Sequence, residues 1–165
     1  MINNYSNLVY LHDLLESIIE HDVTFVVTIL QAYIKDDWVR RITSVNYTTK
    51  EELLPNGRRI DVFYRARNFK RICIGFEIKT GNEVDEKQLR EEIEGLRSVE
   101  GCEESFLILI AQEDPEYNIP YYYYIPLSAF HQKINDVNRI IHRIVNGFGK
   151  RSLSFLFNFF SQIVA

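Results

Sequence analysis

The segment from Gly57 to Gly81, GRRIDVFYRARNFKRICIGFEIKTG, constrains the fold more than any other part of the chain. Two β-rich runs, Arg58–Ala66 and Arg71–Thr80, flank Arg67-Asn68-Phe69-Lys70, the pattern of an antiparallel hairpin. With the turn centred near Asn68-Phe69, paired positions sum to about 138 or 137, so Asp61 lies opposite Glu77 or Phe76. In the first register Ile60, Val62, Tyr64, Ile74, Phe76 and Ile78 form one wholly apolar face. Arg59, Asp61, Phe63, Cys73, Gly75, Glu77 and Lys79 occupy the other. Side chains alternate along a strand, so a slip of one residue turns the apolar set to solvent, and the pattern selects its own register.

The rest of the chain supplies elements to cover such a hairpin. Leu8, Leu11, Leu15 and Ile18 keep helical spacing up to a break near His21-Asp22, and Val23, Val26, Val27, Leu30 and Ile34 continue it in a second helix. Trp38–Thr48 alternates as a strand would, and Pro55-Asn56-Gly57 signals a turn. Glu83–Val99 reads as an acidic helix with Leu89, Ile93 and Leu96 on one face. Ser105–Ala111 (SFLILIA) suits a strand buried on both faces, and Tyr121–Ile125 is a further strand. Ser128 caps a helix carrying Phe130, Ile134, Val137, Ile141 and Ile144, which Gly147 and Gly149 interrupt before a last apolar helix. The order α-α-β-β-β-α-β-β-α-α predicts an α/β fold with a mixed central sheet of four to five strands flanked by helices. At 165 residues the chain is expected to form one domain over 1–165, with a core at about 8–130 and a helical extension at 128–165.

Composition excludes several classes. A chain 46% hydrophobic and 25% charged, with 7 Gly and 4 Pro, is neither disordered nor a low-complexity polymer. Cys73 and Cys102 are too few for a secreted disulfide framework and form no CxxC pair. The first residues lack the basic start and apolar run of a signal peptide, and Leu153–Ala165 is too short and too interrupted to span a bilayer. An intracellular protein, cytoplasmic or nucleoid-associated, is expected, with no membrane partner.

The net charge of −4 disfavours nucleic acid until it is divided. Residues 1–37 carry −5, residues 38–79 carry +6, residues 82–104 carry −6 and residues 105–165 carry +1. Exposed charges are screened beyond about 8–10 Å, so local clusters rather than the total attract a polyanion. Arg58, Arg59, Arg65, Arg67, Lys70 and Arg71, with Arg40 and Arg41 on the preceding strand, are the expected contacts to a phosphate backbone.

Asp61, Glu77 and Lys79 interrupt two otherwise core-like strands. Such groups are rarely buried unless paired or bound to metal. Two carboxylates sharing a patch repel, and a divalent cation removes the conflict. Two carboxylates, waters and a phosphate oxygen make a typical Mg²⁺ shell, and Mn²⁺ substitutes readily. An adjacent ammonium positions water or stabilises developing negative charge.

Asp61 followed by Glu77-Ile78-Lys79 after a hairpin resembles the PD-(D/E)xK nuclease superfamily, and the resemblance extends over roughly Leu8 to Phe130. It implies a restriction-endonuclease-like αβββαβ core with extra C-terminal helices, and Mg²⁺-dependent hydrolysis of phosphodiester bonds, most readily in DNA. In that reading Asp61 and Glu77 hold the metal and Lys79 acts on the attacking water. Ile60 stands where the family name has Pro. Glu16 and Glu20 are candidates for a carboxylate from the first helix. The RecB-like branch places a Gln and a Tyr on the helix after the ExK, and here Gln88 is present while Glu92 replaces the Tyr. The branch with a four-cysteine iron–sulfur cluster is excluded by the two cysteines.

Other features carry less. Tyr121–Tyr124 suits packing better than base stacking, and His131 and His142 are three helical turns apart and cannot share an ion. The C-terminal LSFLFNFF is either core or a homodimer contact. Against the nuclease stand a non-catalytic nucleic-acid-binding or protein-interaction module on the same fold, and an unrelated α/β domain with a salt-bridged sheet.

Overall fold

The computed structural model describes residues 4–81 and 84–148, and it divides into two compact units, residues 1–128 and 129–165. The first unit begins with α1 (Asn4–His21) and α2 (Val23–Tyr33). Asp22 separates them, because its carboxylate accepts from Phe25 N at 3.2 Å and caps the second helix. A short α3 (Asp37–Arg40) leads to β1 (Ser44–Leu53), β2 (Arg59–Arg67) and β3 (Arg71–Lys79). Then come α4 (Glu86–Arg97), β4 (Glu104–Ala111) and β5 (Tyr122–Pro126).

The five strands form one open mixed sheet in the order β1-β2-β3-β4-β5. The first three are antiparallel, and α4 carries the chain over to the parallel β3–β4 pair. The β4–β5 pair is also parallel, joined by residues 112–121. Val62 pairs with Phe76 and Tyr64 with Ile74, which is the register the apolar face selects. The turn at Pro55-Asn56-Gly57 is present, with Gly57 at φ +84°.

Helices cover both faces. Tyr64, on the α1 side, donates its hydroxyl to Ile19 O and stacks edge-on with Phe76. On the α4 side Phe63, Cys73, Leu107 and Leu109 pack with Leu89, Ile93 and Leu96. Ile60 was expected with Val62 and Tyr64 but joins the α4-side cluster. β2 departs from strict alternation there, opposite Glu51 at φ 48°, and the β2–β3 ladder stops at Val62↔Phe76. Cys73 and Cys102 are joined by a disulfide with Cα atoms 5.8 Å apart, one staple rather than a framework.

Two expectations need correction here. Trp38 does not begin a strand. It lies in α3, its ring stacked 3.9 Å from Phe106 and its Nε1 donating to Tyr123 Oη at 3.1 Å, so burial of a large ring overrides the alternating pattern. β1 starts at Ser44 and runs to Leu53, which leaves Arg40 and Arg41 off the sheet. Tyr121–Tyr124 packs as expected. Tyr122 and Tyr124 lie against the α4-side core, Tyr123 bonds Trp38, and exposed Tyr121 receives the Arg97 guanidinium.

In the second unit a 3₁₀ turn, Leu127–Phe130, runs into α5 (His131–Phe148). Gly147 does not interrupt this helix, and His131 and His142 are exposed. Gly149 and the apolar Leu153–Ala165, with its dimer expectation, lie outside the described residues. Among the described residues no helix is long and apolar enough to cross a membrane.

Candidate functional site

The site is built where β2 and β3 part company. The N–H of Ile78 lacks a ladder partner at this point and donates instead to Asp61 Oδ2 at 2.7 Å. Asp61 thereby faces the gap between the strands. On one side it meets α1, with His12 Nε2 3.4 Å from Oδ2. On the other it raises the pKa of Glu77 through its charge.

Glu77 is only 4% exposed. Lys79, two residues on along the same face, sets its Nζ 2.6 Å from Glu77 Oε1. Gln88 Nε2 donates to the same oxygen at 2.8 Å and to Glu92 Oε1 at 2.6 Å, while Gln88 Oε1 accepts from Lys79 at 3.4 Å. The amide therefore separates two buried carboxyl groups and orients the ammonium. Glu92 is 1% exposed, and its Oε2 has no hydrogen-bond partner among the described residues.

Burial is the main cause of the electrostatics. It pushes the Glu77 and Glu92 carboxyls well above the usual range; the charge of Asp61 raises Glu77 further, and that of Glu77 raises Glu92. Burial pulls Lys79 down, but the charge and hydrogen bond of Glu77 outweigh it, so Lys79 holds its proton above the ordinary value. The hydrogen bond that His12 donates to Asp61 raises its pKa against the opposing effect of burial. Glu16 is raised chiefly by burial.

The residues expected from sequence separate into two sets. Asp61, Glu77, Lys79 and Gln88 are brought together, and Glu16 joins from α1, its Oε1 3.8 Å from His12 Nδ1. Glu20 does not. It faces Lys50 at 3.8 Å and His21 at 3.2 Å. His12 was passed over in the sequence, although its spacing to Glu16 places both on one helix face. One ligand atom each from His12, Glu16 and Asp61 lies within 4.8 Å of the others. Gly75, with no side chain, lets α4 approach β3 closely. A Cβ there would stand 2.7 Å from Leu96 Cδ1.

The basic segment is largely answered by acids of the chain itself. Arg58 pairs with Glu91, Lys70 with Glu104, Arg71 with Glu103 at 3.4 Å, Arg59 with Glu51 at 3.8 Å and Arg41 with Asp37 at 2.8 Å. Three of these acids come from the acidic segment after the hairpin, so the two opposite charge blocks neutralise one another across the fold. Arg65 donates to Glu100 O at 3.0 Å and lies over the Phe63 ring. Arg40 and Arg67 are exposed without an ion pair among the described residues.

A cleft of about 670 Å³ opens beside Gln88, lined by Asp85, Glu113, Asp114 and Tyr117 among others. Compared with known proteins, the chain matches no family model, no curated protein and no solved structure.

Proposed function

We propose that this protein is a metal-dependent nuclease, hydrolysing phosphodiester bonds of DNA on a restriction-endonuclease-like core inside the cell. The observation that carries the reading is the placement of buried Glu77, with Lys79 2.6 Å from its carboxylate, beside Asp61 at the parting of β2 and β3.

The donor set fits a divalent cation. Asp61, Glu77 and Glu16 offer hard oxygen donors, as Mg²⁺ requires, and the His12 imidazole also suits Mn²⁺. Burial, with the charge of Asp61 on Glu77 and of Glu77 on Glu92, holds both carboxyls away from their charged forms, a conflict that a cation at Glu77 would relieve. When bound, Mg²⁺ would supply Lewis-acid activation of water and stabilisation of charge on the phosphoryl oxygens.

The chain's own groups do the rest. Lys79, with its ammonium 2.6 Å from Glu77, orients the attacking water and stabilises developing negative charge. Gln88 fixes the direction of Lys79 and Glu77. Ile78 N–H fixes Asp61.

The test is cleavage of plasmid and oligonucleotide DNA with Mg²⁺, Mn²⁺ or chelator, by wild type and by Asp61→Asn and Lys79→Ala. Metal-dependent cutting that both variants lose supports the reading. Cutting that both variants retain refutes the site, and salt-sensitive binding without cleavage under any metal supports the non-catalytic module instead.

A further inference from the structure

A second, smaller cavity of about 300 Å³ lies at the other end of the hairpin. Tyr47, Arg65, Arg67, Arg71, Asn46 and Cys102 are among its lining residues, and no carboxylate is. Its character is opposite to that of the cleft beside Gln88, which three carboxylates and no basic residue line.

The cavity is structured by the fold. Arg65 and Arg67 project on one face of β2 and Arg71 faces them from β3, paired across the ladder with Arg67. A register shift in β1 between Val45 and Tyr47 sets Tyr47 opposite Arg65. Irregularities of this kind re-aim side chains beside sites. Tyr47 is 47% exposed, so its ring is free to meet a ligand on one side while its edge packs on Phe63. The Cys73–Cys102 disulfide holds the loop that forms the remaining wall.

The guanidinium groups are available to an anion. Arg67 has no ion pair among the described residues, Arg65 is held by a neutral carbonyl, and Arg71 has only the solvent-exposed Glu103. Exposed pairs of that kind are worth little and exchange readily. Guanidinium forks bind phosphate bidentately, and an aromatic face beside them accepts a base.

We infer that the Arg65–Arg67–Arg71 cavity, with Tyr47, binds one phosphate and an adjoining base of a single-stranded nucleic acid. The choice of occupant rests on the proposed function, because a phosphodiester hydrolase needs a hold on its strand away from the reacting bond. Six residues of β2 separate Asp61 from Arg67, roughly 20 Å. That span corresponds to about six nucleotides at duplex rise, and fewer when the strand is extended. A cavity of about 300 Å³ with guanidinium groups beside one tyrosine ring suits a phosphate and an unpaired base. The acidic cleft beside Gln88 repels the same polyanion, so the strand is directed toward the hairpin end.

Anisotropy of a labelled oligothymidine 12-mer, measured in chelator with the full chain, tests this. Wild type should bind with an affinity that falls as salt rises. Arg67→Ala should weaken binding about 5- to 10-fold at low salt and lower the salt slope by about 0.7, while Arg67→Lys keeps the slope. Tyr47→Ala should weaken binding roughly 5- to 100-fold with the slope unchanged. Wild-type binding that neither variant alters overturns the inference, as does no wild-type binding, or tighter binding of the matching duplex. Because no metal is present, the two readings fail separately. A protein that cuts DNA while Arg67→Ala binds as wild type loses only the cavity, and one that binds through Arg67 yet never cuts loses only the nuclease.

Discussion

The Ile78 amide donates to the Asp61 carboxylate at 2.7 Å, so a side chain of β2 takes the place of a ladder carbonyl for β3. The candidate metal ligand is thus also the group that ends the β2–β3 pairing. Asp61→Ala should remove both roles. It leaves the Ile78 N–H without its acceptor and should cost about 1.5–3 kcal/mol of stability, the range for hydrogen bonds to charged groups. Asp61→Asn retains an oxygen for that N–H and should cost less, yet lower cleavage about 100-fold or more, as removal of a preorganised charged group does. Urea unfolding beside single-turnover cleavage separates the two effects. Equal destabilisation by Asn and Ala would show that the bond contributes nothing.

Lys79→Ala should reduce single-turnover cleavage at saturating Mn²⁺ by about 10²- to 10⁴-fold. It also leaves Glu77 buried without its cation, so the carboxyl moves further up and the remaining activity shifts to higher pH. A pH–rate profile displaced the other way would contradict the pairing of the two groups.

In the metal-free protein, burial pushes Glu77 up to about 7 and Glu92 up to about 8, from an ordinary value of 4.5. Between 4.5 and 8 the folded state therefore holds protons that the unfolded chain has released. Stability then falls as pH rises through that window, and the contribution of these groups is fully present only below it. His12, raised by its bond to Asp61, acts in the same sense. Glu92→Gln keeps the acceptor for Gln88 and removes one titration, so denaturant midpoints measured from about pH 4 to about pH 9 should slope less in the variant. An unchanged slope would assign the titration elsewhere.

Much of this arrangement was legible in the sequence, and the exceptions have identifiable causes. The hairpin register followed from Val62, Tyr64, Ile74 and Phe76, because a buried face tolerates no slip. Helical spacing also put Gln88 and Glu92 on the stripe of Leu89 and Leu96, so the burial of Glu92 was readable there. The turning of Ile60 to the α4 side was not, since it depends on the parting of β2 and β3 at Asp61. Arg58, Lys70 and Arg71 read as free cations because their partners lie 32 to 34 residues away. Trp38 read as strand because its alternating neighbours gave no sign of Phe106 and Tyr123 beneath it.

The disulfide between Cys73 and Cys102 closes 29 residues that include all of α4. Loop closure of that length stabilises by about 3–4 kcal/mol on a chain-entropy basis. Cys102→Ser, or reduction, should lower the urea midpoint and raise the slope of the transition, because the unfolded chain without the cross-link exposes more surface. A midpoint identical with and without reductant would show that the bond adds no stability.

Gly75 links the packing of α4 to the site. A Cβ at this position would stand 2.7 Å from Leu96 Cδ1, 3.1 Å from Leu96 Cδ2 and 3.0 Å from Ile60 Cγ1. Leu96 and Ile60 are fully buried, so neither can swing into solvent to make room. Gly75→Ala should therefore displace α4 and cost about 1–3 kcal/mol, as overpacking does. The same displacement carries Gln88 away from Glu77 and Lys79, to which it is bonded at 2.8 and 3.4 Å. Cleavage should fall in Gly75→Ala even at temperatures where the variant is fully folded. In the double variant with Leu96→Ala the new methyl occupies the space the leucine leaves, so the two stability costs should be less than additive and cleavage should partly return. Strict additivity would mean that the methyl and Leu96 never meet, and that the glycine serves something other than the approach of α4.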